Sequence, residues 1–405
     1  MNKGVYSVLF KLGELFKPFI IAPFIIKLFG LSSFADYALV LTVVAVCYPI
    51  IDAGVLSYSQ RVFYRKTQVG LKKISDLIKV QLSLFPVAML VFSIVFFMML
   101  DELFVSMMCA LYLYSTALTN SFNGFLRARD QFFVLVKLKV FFDLVEILVI
   151  IVFLYKNSEF SLLIFGYMAI IKWIYLFIQI NCLYRGKLVI FRLKLNTIEV
   201  IKFFSSSLIL VPIAVIGGLS GNIERFFIED LLGKEQLGIY VVLLQYVYYL
   251  KLVVFPITFT QLPVLSKLYD IEGKEAVKKQ INKILIASFV ITVGMSVCFW
   301  LSRYLIFENL IGIKLDSYRE TTLIIFLSAV CVMNINSILM LIMTVFQQLR
   351  AYLYVNSIML FFSVILNLQL LEKYGYMFSA LFILLSSSIV LCFSAFKCRK
   401  SLMNI

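Results

Sequence analysis

The chain has 405 residues, 62% of them hydrophobic, with a mean hydropathy of +1.01. That composition excludes a soluble globular domain, and long unbroken apolar runs exclude a β-barrel. No histidine is present, which removes His-based acid–base catalysis and most zinc sites, and the net charge of +15 requires a cause.

At about 20 residues per crossing, the apolar runs predict twelve spans, at 8–29, 34–58, 77–99, 103–125, 132–155, 160–183, 204–229, 237–263, 281–302, 321–346, 350–371 and 375–396. Lys3 precedes the first run as in a signal peptide. Lys11, Glu14 and Lys17 interrupt that run, however, and no small-residue cleavage pattern follows, so it reads as a first span. The seven cysteines are scattered, mostly through apolar runs, without a CxxC pair, and are expected to be small buried hydrophobes.

With the N-terminus on the cytoplasmic side, most of the 37 basic residues fall on that side, among them Arg61, Arg65, Lys66, Arg127, Arg185, Lys278 and Arg399. The opposite side receives Lys156, Lys234, Arg303, Lys314, Arg319 and Lys373. This bias predicts a multi-pass membrane protein with both termini cytoplasmic. It also accounts for the positive charge without a nucleic-acid partner.

The stretch from Leu28, LFGLSSFADYALVL, aligns without a gap on LLGKEQLGIYVVLL from Leu231. Leu28/Leu231, Gly30/Gly233, Tyr37/Tyr240 and Leu41/Leu244 coincide, which suggests two related halves. In transporters, the binding site commonly lies between such halves.

Ionisable groups inside spans are costly and mark partners or wet cavities. Lys17, Asp143, Glu146, Lys172 and Lys251 fall near mid-span, with Glu224 and Arg225 adjacent in the seventh. Glu14 and Lys17 share a helix face, as do Asp143 and Glu146. A structural ion pair of Asp143 or Glu146 with Lys172 is one expectation. Lys17, Arg225 and Lys251 lie on helices related by the repeat, where several cations at mid-depth would suit an anionic phosphate or diphosphate group. All seven prolines lie in spans, and Pro18, Pro23, Pro212, Pro256 and Pro263, with Gly217, Gly218 and Gly221, suggest helices that bend. Tyr240, Tyr246, Tyr248 and Tyr249 beside Lys251 offer ring faces and hydroxyls for sugars.

The stretch from Glu224 to Lys283 resembles the bacterial polysaccharide-transporter family, in particular O-antigen flippases. The matching residues are Glu224, Arg225, Leu232, Gly233, Gly238, Tyr240 and Pro263. The N-terminal counterpart fits through Gly30, Tyr37, Asp52, Gly54 and Gln60, with Ala35 where a glycine is usual. The resemblance extends to the larger superfamily of multidrug, oligosaccharidyl-lipid and polysaccharide exporters. It implies an all-α polytopic membrane protein, with two six-helix bundles, 1–200 and 201–405, around a central cavity. It further implies translocation of an undecaprenyl-diphosphate-linked oligosaccharide repeat unit from the cytoplasmic to the outer face of the bacterial inner membrane.

On that reading Lys17, Lys172, Arg225 and Lys251 would bind substrate, and no catalytic or metal-ligating residue is expected. Glu14, Asp143, Glu146 or Glu224 would carry a coupling proton or sodium ion, with no other cofactor. A polymerase and a chain-length protein of the same pathway would be partners. A drug or organic-cation exporter is the alternative, and the embedded cations argue against it. A polysaccharide polymerase, an enzyme, is a weaker alternative, because the external connector from Arg303 to Glu320 is short.

Overall fold

The computed structural model describes residues 3–52, 81–128, 132–184, 210–345 and 349–403. Among these residues the only regular structure is helical. Its elements are α1 (Lys3–Asp52), α2 (Phe85–Leu100), α3 (Leu103–Ala128), α4 (Phe132–Lys156), α5 (Ile164–Tyr184) and α6 (Leu210–Ser220). They continue with α7 (Ile223–Leu232), α8 (Lys234–Tyr248), α9 (Lys251–Leu301), a π-helix (Leu305–Ile311), α10 (Ser317–Val345), α11 (Leu349–Tyr374) and α12 (Tyr376–Met403). Each predicted span finds a helix. The parts at 53–58, 77–80, 204–209 and 346 lie outside the described residues.

Seven helices among the described residues are long and apolar enough to cross a membrane. Helix α4 is also long, with 25 residues, but carries Lys137, Lys139, Asp143 and Glu146. Its sides are sorted inside out. Phe141, Leu144, Leu148, Val152 and Tyr155 form an exposed apolar stripe, while Asp143 and Glu146 are buried. A helix in lipid turns its apolar face outward and its ionisable groups toward protein.

Helix α1 holds the first two predicted spans, which meet at Gly30 with φ 88° and ψ 176°. Gly233, its partner in the repeat, joins α7 to α8 with φ 86° and ψ 167°. A side chain at either position would meet the strain of the left-handed half of backbone space, which glycine avoids. The two aligned tyrosines that follow, Tyr37 and Tyr240, are both buried.

Three expectations are corrected. The seventh span is not one helix, because α6 and α7 are separated by a turn at Gly221–Asn222. The basic connector expected at 264–280 is helical throughout, and α9 runs through it with a single break at Gly273 (φ 79°). The GKEAVKKQINK stretch is rich in Lys, Glu, Gln and Ala, which favour helix and carry no proline to stop it. Of the cysteines expected inside, Cys298 and Cys392 are exposed.

The chain divides into two compact units. The N-terminal unit comprises Leu12–Lys17 and Asp36–Gly218, and the C-terminal unit comprises Met1–Lys11, Pro18–Ala35 and Leu219–Ile405. In the N-terminal unit α3 packs on α2, α4 and α5. Phe165 is buried there, stacked on Tyr37 with centroids 5.4 Å apart. In the C-terminal unit α10 packs on α8, α9 and α12, while α11 packs on α7 and α12. Helix α8 is its centre. Every residue from Leu237 to Leu244 is buried, which explains an apolar run without a polar face. Gly238 lets α8 approach the chain at Leu31, since a Cβ there would stand 2.5 Å from the Leu31 carbonyl oxygen.

Candidate substrate site

The described ionisable residues singled out by the sequence are divided between the two units. In the N-terminal unit α4 presents Asp143 and Glu146 from one face. Glu146, only 1% exposed, takes ion pairs from two lysines on different helices. One oxygen bonds Lys17 of α1, and the other lies 3.5 Å from Lys172 of α5. Asp143 pairs with Lys139 one turn earlier at 2.8 Å. Of the two pairs expected for Lys172, with Asp143 or with Glu146, the structure has the Glu146 pair, and Lys17 joins it.

A neutral network extends this cluster. The Asn123 side-chain oxygen accepts from the Tyr175 hydroxyl at 3.0 Å and from Gln179 at 2.7 Å. All three are buried. Composition did not single them out, although Asn and Gln inside apolar runs are themselves a signal, since such amides bond across membrane helices.

In the C-terminal unit Glu224 stands in the first turn of α7, where the helix dipole favours an acid. Glu224 is 3% exposed and accepts the Tyr240 hydroxyl at 3.2 Å. Arg225 follows it in sequence. Tyr246 donates to the Phe19 carbonyl at 3.1 Å. That carbonyl would ordinarily bond the backbone N–H four residues on, but Pro23 has none. The hydroxyl thus fills the gap that the proline opens. Phe19 and Tyr249 also pack their rings against Tyr246, at 5.1 and 5.5 Å between centroids.

Lys251 opens α9 directly after the break at Tyr249–Leu250. Its ammonium lies over the Tyr248 ring, 4.3 Å from the centroid. Among the described residues it has no carboxylate partner, unlike Lys17, Lys139 and Lys172. A cation–π contact does not neutralise the charge, so Lys251 remains available to an anion.

Lys17 thus belongs to the N-terminal unit, whereas Arg225 and Lys251 belong to the C-terminal unit. Glu14 lies in α1, and its side chain is outside the described residues. Among the described residues no group of three or more His, Cys, Asp or Glu is placed to hold a metal ion.

Solved structures share this helical arrangement over nearly the whole chain. A multidrug resistance MATE family transporter of the MOP superfamily, in an outward-facing conformation, superposes with a TM-score of 0.69. It is 12% identical, over 99% of this chain and 95% of that one. The lipid II flippase MurJ, in an inward closed conformation, also gives 0.69, at 14% identity over 97% of this chain and 87% of that one. The fold is that of MATE and MurJ. A Vibrio cholerae MATE transporter gives 0.68 at 13% identity, over 100% and 96% of the two chains. No protein-family model matches the chain, and no curated protein does either. The fold class expected from the sequence, an all-α polytopic membrane protein, is the one observed.

Proposed function

We propose that the chain is a flippase for an undecaprenyl-diphosphate-linked oligosaccharide, a repeat unit of O-antigen or a related surface polysaccharide. In this reading two six-helix bundles, 1–200 and 201–405, alternate access to a central cavity and move the unit to the outer leaflet of the inner membrane. The cytoplasmic placement of both termini follows from the positive-inside bias. A lipid-linked cargo is consistent with the fold shared with a lipid II flippase. Lys251 is the observation that carries the anionic headgroup. It is a membrane-embedded cation that no described carboxylate neutralises.

Lys251, Arg225, Lys17 and Lys172 would meet the diphosphate. Glu146 holds Lys17 and Lys172, and Glu14, Asp143, Glu146 or Glu224 would take a coupling proton or sodium ion. The step is translocation without covalent chemistry. A polymerase and a chain-length protein would receive the product.

The test is complementation of a strain lacking the flippase for a matched surface glycan. The intact gene should restore glycan and clear the lipid-linked intermediate. Lys251→Ala should fail at equal protein level, and Lys251→Arg should retain activity. Failure of the intact gene in a sugar-matched host, with the lipid-linked intermediate retained on the cytoplasmic face, would sink the reading.

A multidrug exporter is the second reading, favoured by the equal TM-score to a MATE transporter. It predicts the opposite response. Removing the Lys251 charge would then preserve or raise export of an organic cation.

A further inference from the structure

Helix α9 has one face that takes no part in the proposed substrate site. Val277, Ile281, Ile284, Ser288 and Thr292 are buried, and their spacing of three and four residues marks the side that packs into the C-terminal unit. Val277, Ile281 and Ile284 share a buried cluster with Leu339 and Met343 of α10. The opposite side is exposed and changes character once. Lys279 and Lys283 open it, and Ile286, Val290, Val293 and Val297 continue it at the same helical spacing. The segment of α9 long and apolar enough to cross a membrane is Glu275–Leu301, so both lysines fall near its N-terminal end.

Charge followed by hydrocarbon is the order that a phospholipid itself presents. Lys279 and Lys283 are four residues apart, so they share a helix face and can reach one phosphate. Lysines at the end of a span extend their ammonium groups to the headgroup level. From Lys283 to Val293 the helix rises about 15 Å, half of a ~30 Å hydrocarbon core and so the depth of one leaflet. Among the described residues neither lysine has an ion pair, and neither has Lys278. Glu275 stands one turn before Lys279, on the side away from the apolar stripe, and no ion pair joins them. Glu272 precedes the break at Gly273.

We propose that Lys279 and Lys283 hold the phosphate of an anionic phospholipid, whose acyl chain lies along Ile286, Val290 and Val293. A zwitterionic phospholipid brings an ammonium of its own, which the lysines repel, so the site selects a net negative headgroup. The positive-inside bias puts this lipid in the cytoplasmic leaflet. Helix α12 supports the level of the headgroups. Its membrane-length segment, Tyr376–Arg399, ends on an exposed arginine, and the preceding Cys398 belongs to the same buried cluster as Val277. Two membrane-length segments thus end in basic residues beside one cluster. A charge bias needs only basic residues on one side of the membrane, whereas a lipid site needs particular ones. The inference is independent of the transported substrate and holds for a flippase and for a multidrug exporter.

The test uses the purified full-length chain in nanodiscs of phosphatidylethanolamine, with or without phosphatidylglycerol, at about 0.15 M salt to screen distant charges. Phosphatidylglycerol should raise Tm saturably and stay bound in native mass spectrometry. Lys279→Gln and Lys283→Gln should each weaken that preference about fivefold, which is about 1 kcal/mol. Glu275→Gln should strengthen it. Lys278→Gln removes the same charge from a neighbouring position off the stripe and should leave the preference unchanged. All four side chains are exposed, so these variants should fold. Glycerol 3-phosphate, a headgroup without acyl chains, should not compete. Equal losses from Lys278→Gln and Lys279→Gln would reduce the patch to unspecific surface charge and overturn the proposal. Competition by glycerol 3-phosphate would make it a site for free phosphate, and equal retention of the two lipids would remove the selectivity. Either result overturns the proposal as well.

Discussion

Tyr246 donates its hydroxyl to the carbonyl of Phe19, the acceptor that Pro23 leaves open. The two residues are distant in sequence but belong to the same unit. Tyr246→Phe should leave a buried carbonyl unsatisfied and cost about 1–3 kcal/mol. In a Pro23→Ala background the restored N–H should bond Phe19, and the same Tyr246 change should then cost less. A double-mutant cycle by denaturation in mild detergent measures the difference, and additive losses would refute the link.

Glu146 is the counter-charge for both Lys17 and Lys172. Removing it leaves two lysines without their carboxylate, so Glu146→Ala should destabilise the chain by about 3–5 kcal/mol. Pairing it with Lys172→Met should recover part of that loss. Thermal unfolding of the single and double variants tests this, and an unchanged Glu146→Ala protein would contradict it.

Lys251 should behave in the opposite way. An embedded cation without a carboxylate is a cost to the fold. Lys251→Met should therefore leave Tm unchanged or raise it, while the lipid-linked oligosaccharide transport proposed above is lost. A variant that loses both would make Lys251 a structural residue.

The glycines separate cleanly. Gly238→Ala places a Cβ against the Leu31 backbone, which cannot move as a flexible side chain can. It should lower Tm and expression. Gly217 meets nothing within 4 Å and lies inside α6, so Gly217→Ala should stabilise by about 0.5–1 kcal/mol. Gly30→Ala and Gly233→Ala should each cost about 1–3 kcal/mol, in similar measure, because they share one backbone conformation that is essentially confined to glycine.

The spans were legible because lipid demands long apolar runs, and the Gly30/Gly233 repeat was legible because both positions need a residue without a side chain. The partner of Lys172 was within reach of the sequence, since Glu146 lies on the preceding helix. Lys17 was not assigned to Glu146, because no local pattern links residues 129 apart. The helix through 264–280 was missed because its charges suggested a solvated loop, whereas a helix can be solvated too. The Asn123 network was missed for a different reason. Single neutral amides barely change hydropathy, and only packing shows which partners they meet.

Gly30, Gly233, Gly273 and Gly375 each join two helical segments through a single residue of positive φ. Such joints have no slack. Inserting one residue at any of them turns the following segment by about 100°, which would roll a lipid-facing stripe toward the protein. Ordinary surface loops absorb insertions readily. At these four points the chain instead behaves as keyed rods, and length, more than side-chain identity, is what each junction must preserve.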